Sequence, residues 1–451
     1  MKILIIETTP ATPHAETAIE IAVKESIVGS SVIYCPIFHL FPNLLWRSNI
    51  NGRNDSGKVD SLEEWLTYLI DVVSPYAEID LFKIDSLPNY LSRDIIDNIF
   101  GFTYDDHPFG AVVKANAIEI YKTNNLDEIL KAGFNTCLNL ALTCIIAYEL
   151  TLLLIEKHKP KRIVFFNGRT AGSYPIFSAC EKFKIPCWIH ERGSTKDSFA
   201  IWDSPPQYIH EIRNKINKFA ENRDPYLANL SAGIFYNRQW GGALTALGPT
   251  LRPKNIELSL GDLGIDEKYV TFYTSSNWEF ATMPNEDWSN ELGDQYETAA
   301  LLANVCSQQG VQLVIRMHPN TAASEYYDYT NLEDAGLCRI IRPDADISSY
   351  ELGRRAFRNF SYGSTITWEF MYSGIQCAVL SNSFGRGAVG VIELNSADGI
   401  SNYLNNELLL VDKSFPIKYA DFHHNLGERY DFYHAETLFS GCLNFELRAK
   451  K

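Results

Sequence analysis

Short, wholly apolar runs separated by helical patterns recur along this chain, and that alternation limits its possible folds more than any other feature. Lys2 to Glu7 reads KILIIE, a continuous run that suits a parallel strand covered on both faces. From Ala15 the spacing in AETAIEIAVKES is helical, and Ser31 to Ile37 reads as the next strand, so the chain opens with a βαβ unit. The pattern returns as strand Arg162 to Phe166, the turn Asn167-Gly168-Arg169, a helix near Ile176 to Phe183, and strand Pro186 to Ile189. From about Leu260 it starts again: strand Tyr269 to Tyr273, helix Gln295 to Gln308, and strands Val311 to Met317 and Cys338 to Arg342. Helix Ser348 to Ala356, strand Asn359 to Tyr362, helix Ile366 to Tyr372 and strand Gln376 to Leu380 complete it. Strands alternating with helices predict parallel sheets between helical layers, that is, an α/β protein.

Length agrees with two such units. At roughly 150 residues per domain, 451 residues suit two or three folded bodies. We place an acceptor-side Rossmann-like domain at 1–245, a second Rossmann-like domain at 255–425, and a segment 426–451 that packs back on the first. The join falls in a Gly- and Pro-containing linker, Gly241 to Pro253, and a polar loop is expected at Asn49 to Gly57. The stretch from Pro42 to about Asp127 is less periodic, with one expected strand at Ile79 to Ile84; a charged helix is expected around Glu211 to Glu221.

Charge narrows the partners. A formal charge of -15 repels nucleic-acid backbones, so duplex DNA is excluded as a partner on this reading. Nine scattered cysteines without a CxxC pair point to a reducing compartment, and MKILIIET is too short an apolar run for a secretory signal. The expected location is the cytoplasm. Cys137 to Ile155 is apolar, but Asn139, Thr143, Glu149 and Thr151 interrupt it, so it reads as a buried helix instead of a membrane span.

Ligands of doubly wound sheets bind beyond the carboxyl ends of strands, so polar residues that follow apolar runs are the candidates. Val311 to Asn320 ends in Arg316, Met317, His318 and Pro319; a period of two puts Arg316 and His318 on one face, a pair suited to phosphate or carboxylate. The plainer reading is a solvated strand end. Ser361-Tyr362-Gly363-Ser364-Thr365 leads into a helix whose free N–H groups, with the close approach Gly363 permits, make a phosphate cradle. Ser364 and Thr365 are also ordinary capping residues. Glu369, one turn into that helix, suits a ribose. Ser275 and Ser276 close another strand, where they are candidates to reach the donor phosphate, although Ser276 and Glu279 also have capping-box spacing.

In the first half, His190-Glu191-Arg192-Gly193 follows a strand and sets a carboxylate beside a glycine, either a general base or nucleophile or a surface Glu–Arg pair. Asn167 and Arg169 sit at a strand-to-helix turn that can aim the guanidinium at an anion. His14, Glu16 and Thr17 lie past the first strand, on the acceptor side by topology alone. Asp344-Ala345-Asp346 has a DxD form, but Ser348 and Ser349 follow, so turn and cap explain it; His423, His424 and His434 match no metal spacing. No metal and no cofactor are assigned. GxxxxGK[ST], GxSxG, HExxH and a GxGxxG after the first strand are all missing, which argues against P-loop kinases, α/β-hydrolases, zincins and ordinary dehydrogenases.

In order, NGR, HERG, the paired serines, RMHP and YGST followed by Glu resemble the bacterial surface-polysaccharide glycosyltransferases of the two-Rossmann GT-B type. The resemblance is strongest to capsule and O-antigen enzymes that use CMP-activated Kdo or sialic acid, and it spans about Arg162 to Leu380. It implies a catalytic acidic motif, an HP motif whose histidine lies near the donor phosphate, and a serine motif that grips CMP. Glu191, His318, and Ser364 with Thr365 fall in these places. Arg192 stands where the acidic motif carries a second carboxylate, so Asp197 and Asp203 stay open as alternatives, and so does the stereochemical outcome. The implied substrates are a CMP-ulosonate donor, Kdo first and a sialic-acid-like sugar second, and a saccharide or lipid-linked glycan acceptor. The implied products belong to capsule or lipopolysaccharide O-antigen. A location at the inner face of the cytoplasmic membrane, by peripheral association, fits such an acceptor. UDP-sugar 2-epimerases, CDP-glycerol-type phosphotransferases and non-catalytic assembly partners share the layout and remain alternatives.

Overall fold

The computed structural model describes residues 1–42, 62–82, 91–240, 259–276, 280, 288–321, 323–407 and 410–445. Its strands are β1 (Lys2–Glu7), β2 (Ser31–Pro36), β3 (Glu78–Ile79), β4 (Arg162–Phe166), β5 (Cys187–Arg192), β6 (Ser198–Trp202), β7 (Tyr269–Tyr273) and β8 (Gln312–Arg316). There follow β9 (Arg339–Ile341), β10 (Arg358–Ser361), β11 (Ala378–Val379), β12 (Ile392–Glu393), β13 (Glu428–Arg429), β14 (Tyr433–Ala435) and β15 (Gly441–Leu443).

Two sheets form, each with the doubly wound order. The first runs β13-β6-β5-β4-β1-β2-β3 and the second β12-β11-β10-β7-β8-β9; β14 and β15 make a separate hairpin. In both sheets the chain starts in the middle, winds to one edge, and returns to wind to the other. The second sheet is parallel throughout, whereas β6 runs antiparallel to β5 in the first. This is the GT-B class of α/β architecture, two Rossmann-like units in tandem. The expected linker at Gly241 to Pro253 and the loop at Asn49 to Gly57 lie outside the described residues.

The apolar runs take the positions their composition demands. Ile3, Leu4, Ile5 and Ile6 are all fully enclosed, because β1 is the centre of its sheet and helices cover both faces. Local signals set the helix ends. Asp294 and Glu297 form a reciprocal capping box at the start of helix Gln295–Gln308, and Asn125 caps helix Leu126–His158 by accepting the Glu128 N–H at 3.2 Å. That last helix contains the apolar stretch discussed above. It is the one described helix long and apolar enough to cross a membrane, yet 61% of its most apolar window is buried inside the fold. It packs on helices Phe109–Tyr121 and Tyr174–Phe183.

The chain end returns to the first half. Helix Ser414–His424 packs on helices Ile209–Ala220 and Pro225–Trp240, held by Arg223 on Asp421 at 2.8 and 3.0 Å. The return thus starts at Ser414, before the 426 expected from sequence, because Phe415, Tyr419 and Phe422 complete the first apolar core. Beyond it, β13 adds to the edge of β6, and the buried Glu20 accepts the N–H groups of Asp431, Phe432 and Tyr433 at 2.7, 2.9 and 3.1 Å.

Candidate functional site

The sheet orders fix where a ligand can enter. Strand order reverses between β1 and β4 in the first sheet and between β7 and β10 in the second, and connections leave in opposite directions there, opening a crevice at the carboxyl ends. Thr8, Thr9 and Asn167 to Arg169 lie at the first of these points. Thr274 to Ser276 and Tyr362 to Thr365 lie at the second.

At the first point the turn after β4 is unusually shaped. Asn167 and Gly168 both have left-handed backbone, with φ of 65° and 80°. Asparagine is one of the few side-chain-bearing residues that adopts this region readily, and the turn carries its amide toward β5. There Asn167 Nδ2 donates to Glu191 Oε2 at 2.7 Å, while the Arg192 backbone N–H donates to Oε1 at 3.0 Å. Burial raises the carboxyl pKa of Glu191 above its usual range; those two hydrogen bonds and the charges of Arg169 and Arg192 pull the other way without cancelling it. Glu191 is therefore an oriented carboxylate with a basicity shifted toward neutral pH.

Arg169 continues the turn. Its backbone N–H reaches Asn167 Oδ1 at 3.2 Å, and Nη2 pairs with Glu119 at 3.1 Å. Asn116 pins the same backbone, donating to the Arg169 carbonyl at 3.3 Å and accepting the Ala171 N–H at 3.1 Å. Next to this turn lies a cavity of about 480 Å³, bounded by Thr8, Thr9, Phe41, Phe166, Asn167 and Arg169 on the strand side and by the helices that carry Glu119 and Asn139. The size and the mixture of apolar wall with a few polar groups are typical of small-molecule sites.

The second point is organised around His318. Its Nδ1 lies 3.2 Å from the Asn320 backbone N and 3.0 Å from Ser276 Oγ. A backbone N–H can only donate, so Nδ1 accepts, and in the neutral ring the proton sits on Nε2. The His318 backbone is fixed in turn by its N–H on Thr274 Oγ1 at 2.9 Å. Gln295 holds the neighbouring Ser275 through both backbone groups, at 2.6 and 2.9 Å, and Ser275 Oγ donates to the Tyr362 carbonyl at 3.0 Å. These contacts tie the ends of β7, β8 and β10 together. Gly363 has φ 68°, and a Cβ there would come within 3.1 Å of Phe280, so glycine alone fits this turn comfortably. Ser364 and Thr365 precede helix Ile366–Ser373, whose first turn has no side-chain cap. Thr367 and Trp368 donate their backbone N–H groups to the carbonyls of Ser364 and Thr365 at 3.1 and 3.0 Å, so this end offers the positive pole of the helix dipole more than free N–H groups.

Several expected site residues are placed elsewhere. Arg316 ends β8, and His318 lies beyond the strand, so the two do not share a strand face. The guanidinium is buried and donates to Ser349 Oγ at 3.3 Å, to the Ala345 carbonyl at 3.4 Å and to the Arg342 carbonyl. It staples the loop after β9 and is not a donor-phosphate ligand. His190 is completely enclosed beside Phe166, with neither ring nitrogen hydrogen-bonded among the described residues, and burial depresses its pKa to about 3; it is a neutral core residue and not a cleft group. His14 stacks on Phe166 with ring centroids 3.7 Å apart. Asp203 is on the surface, paired with Lys215 at 2.6 Å. The carboxylate of Glu369 holds the Tyr350 and Thr365 hydroxyls. Asp344 and Asp346 precede Ser348, which caps its helix by accepting the Glu351 N–H at 3.2 Å. Asn277 to Glu279 fall outside the described residues. Among the described residues no group of three His, Cys, Asp or Glu side chains is placed to hold a metal ion.

Sequence reading passed over Asn116 and Glu119, which position the Arg169 turn, and Gln295, which positions Ser275. It also passed over Glu7. That carboxyl is buried at the end of β1, with Oε1 on the Thr9 N–H at 2.8 Å, and burial with nearby Glu16 raises its pKa to about 8. The signal was present: a Glu ending an apolar central strand.

No family model matches the chain, and no curated protein matches it. Solved structures with a similar fold include KpsC of Thermosulfurimonas dismutans, a beta Kdo 2,4 transferase, at 11% identity and a TM-score of 0.39 over 57% of this chain and 78% of that one. The UDP-GlcNAc 2-epimerase of Methanocaldococcus jannaschii is similar at 11% identity and a TM-score of 0.29, over 93% of this chain and 98% of that one. That of Neisseria meningitidis is similar at 14% and 0.29, over 95% and 96%. These likenesses are loose, so function rests on the residues above.

Proposed function

We propose that this chain is a glycosyltransferase that moves an ulosonic acid, Kdo first and a sialic-acid-like sugar second, from a CMP-activated donor to a saccharide acceptor of a bacterial surface polysaccharide. The observation that carries the reading is the hydrogen bond that His318 Nδ1 accepts from the Asn320 N–H, which fixes the ring with its proton on Nε2 at the end of β8, in the same crevice as the turn leading into helix Ile366–Ser373. Such an array suits the phosphate of a departing CMP, whose charge grows as the glycosidic C–O bond breaks. Ser364 adds a hydroxyl donor there, whereas the Thr365 hydroxyl is held by Glu369. At the other switch point Glu191 takes the proton of the acceptor hydroxyl, and the freed oxygen attacks the anomeric carbon of the donor. The raised pKa of Glu191 favours this base role over nucleophilic attack by a fully ionised carboxylate, and so favours inversion.

The test is a thermal-shift series with CMP, CDP, UDP and GDP on the native chain and on His318→Ala. A CMP-selective rise in melting temperature that the variant loses is the expected result. Selectivity for UDP moves the assignment to a 2-epimerase and selectivity for CDP to a phosphotransferase; either outcome overturns the CMP reading.

A further inference from the structure

The cavity beside the Arg169 turn differs in charge from the protein around it. The chain has 55 acidic against 40 basic side chains, yet among the described residues the charged ones that line this cavity are Glu119, Lys122 and Arg169, two cations and one anion. Arg169 is only partly engaged. Its Nη2 meets Glu119, whereas Nε is buried without a hydrogen-bond partner among the described residues. Besides the N–H on Glu119 a guanidinium carries further N–H donors in the same plane, a set that suits the oxygens of a carboxylate, and the Asn116 bonds hold the Arg169 backbone in place before anything arrives.

The rest of the wall suits a sugar ring. Phe41, Ile120, Leu140 and Phe166 give the cavity apolar wall, Thr8 and Thr9 offer hydroxyls, and Asn167 on the same wall is bonded to Glu191. We infer that this cavity binds a carboxylate-bearing sugar at the end of the acceptor, with the acid group on Arg169, the ring against the apolar wall and a hydroxyl directed toward Asn167 and Glu191. A monoanion is the smaller charge to bring beside Glu119, whereas a phosphate dianion would double the repulsion there. That the bound sugar is the acceptor rests on the transferase reading; that the cavity selects an acid does not.

The probes are methyl glucuronoside and methyl glucoside, which differ only in the acid group, titrated against the full-length protein by saturation-transfer NMR. The glucuronoside should bind about tenfold tighter or more, as expected where a charged group finds its partner in a buried site. Arg169→Gln should bring the ratio close to one. Glu119→Gln, which removes the competitor for the guanidinium, should tighten glucuronoside binding, and it decides the matter by itself if Arg169→Gln does not fold. Equal affinities, no binding of either glycoside, or a glucuronoside affinity unmoved by Glu119→Gln overturns the inference. A CMP shift measured on the same samples separates the two ideas. Acid selectivity without a CMP response sinks the transferase reading and leaves the acid pocket standing; the reverse sinks only the pocket.

Discussion

Asn167, held in left-handed backbone at φ 65°, donates its side-chain amide to Glu191 at 2.7 Å across the ends of two neighbouring strands. The bond orients the carboxylate and also helps to keep it ionised. Glu191→Gln removes the base, and transfer should fall by roughly 10²–10⁴-fold with little change in melting temperature. Asn167→Gly is the sharper probe, since glycine tolerates the same backbone and only the amide is lost. Without that donor the Glu191 pKa rises further. The acidic limb of the pH profile of kcat/KM should therefore move to higher pH, and an unmoved limb would show that Asn167 does not act through Glu191.

His318 makes a prediction that does not require knowing the substrate. The Asn320 N–H excludes a proton from Nδ1, so two-dimensional ¹H–¹⁵N spectra of the imidazole should report the Nε2–H tautomer. His318→Gln keeps an N–H donor near the Nε2 position and should retain part of the nucleotide-induced thermal shift, which His318→Ala loses. A ring protonated at Nδ1 would overturn the arrangement.

The elements that sequence made plain are those whose signal is local. KILIIE could only be a buried central strand, and the alternation after Leu260 led directly to the second sheet. β6 went unread because SFAIW follows β5 after a short turn and runs antiparallel, where a βα alternation has no place for a strand. The pairing of Arg169 with Glu119 spans 50 residues and draws on the weakly periodic stretch before Asp127, so no spacing rule reaches it. Arg316 was misjudged for a geometric reason. The period of two holds only inside a strand, and β8 stops at Arg316, two residues short of His318.

Arg316 therefore belongs to stability. Its guanidinium joins the carbonyls of Arg342 and Ala345 and the Ser349 hydroxyl in a buried position. Arg316→Ala strands those acceptors and should destabilise the protein by about 1–3 kcal/mol, read as a lower urea midpoint. Nucleotide selectivity in the thermal-shift series should survive at temperatures where the variant is folded. Normal stability with lost CMP binding would return Arg316 to the donor site.

Glu7 predicts how stability depends on pH. Its carboxyl pKa is 4.5 in the reference state and about 8 in the fold, where burial and Glu16 disfavour the charge. Between those values the folded chain binds the proton more tightly than the unfolded chain does. The stabilisation is complete below about pH 4.5 and is lost as pH rises through about 8. Each unit in that interval corresponds to roughly 1.4 kcal/mol for a group that titrates alone. Glu7→Gln holds the neutral form at every pH, with similar shape, so its advantage over the native chain should grow from pH 5 to pH 8.5 in urea unfolding. A constant difference across that range would show that Glu7 is charged in the fold, and that its unpartnered Oε2 is compensated by a group beyond those described.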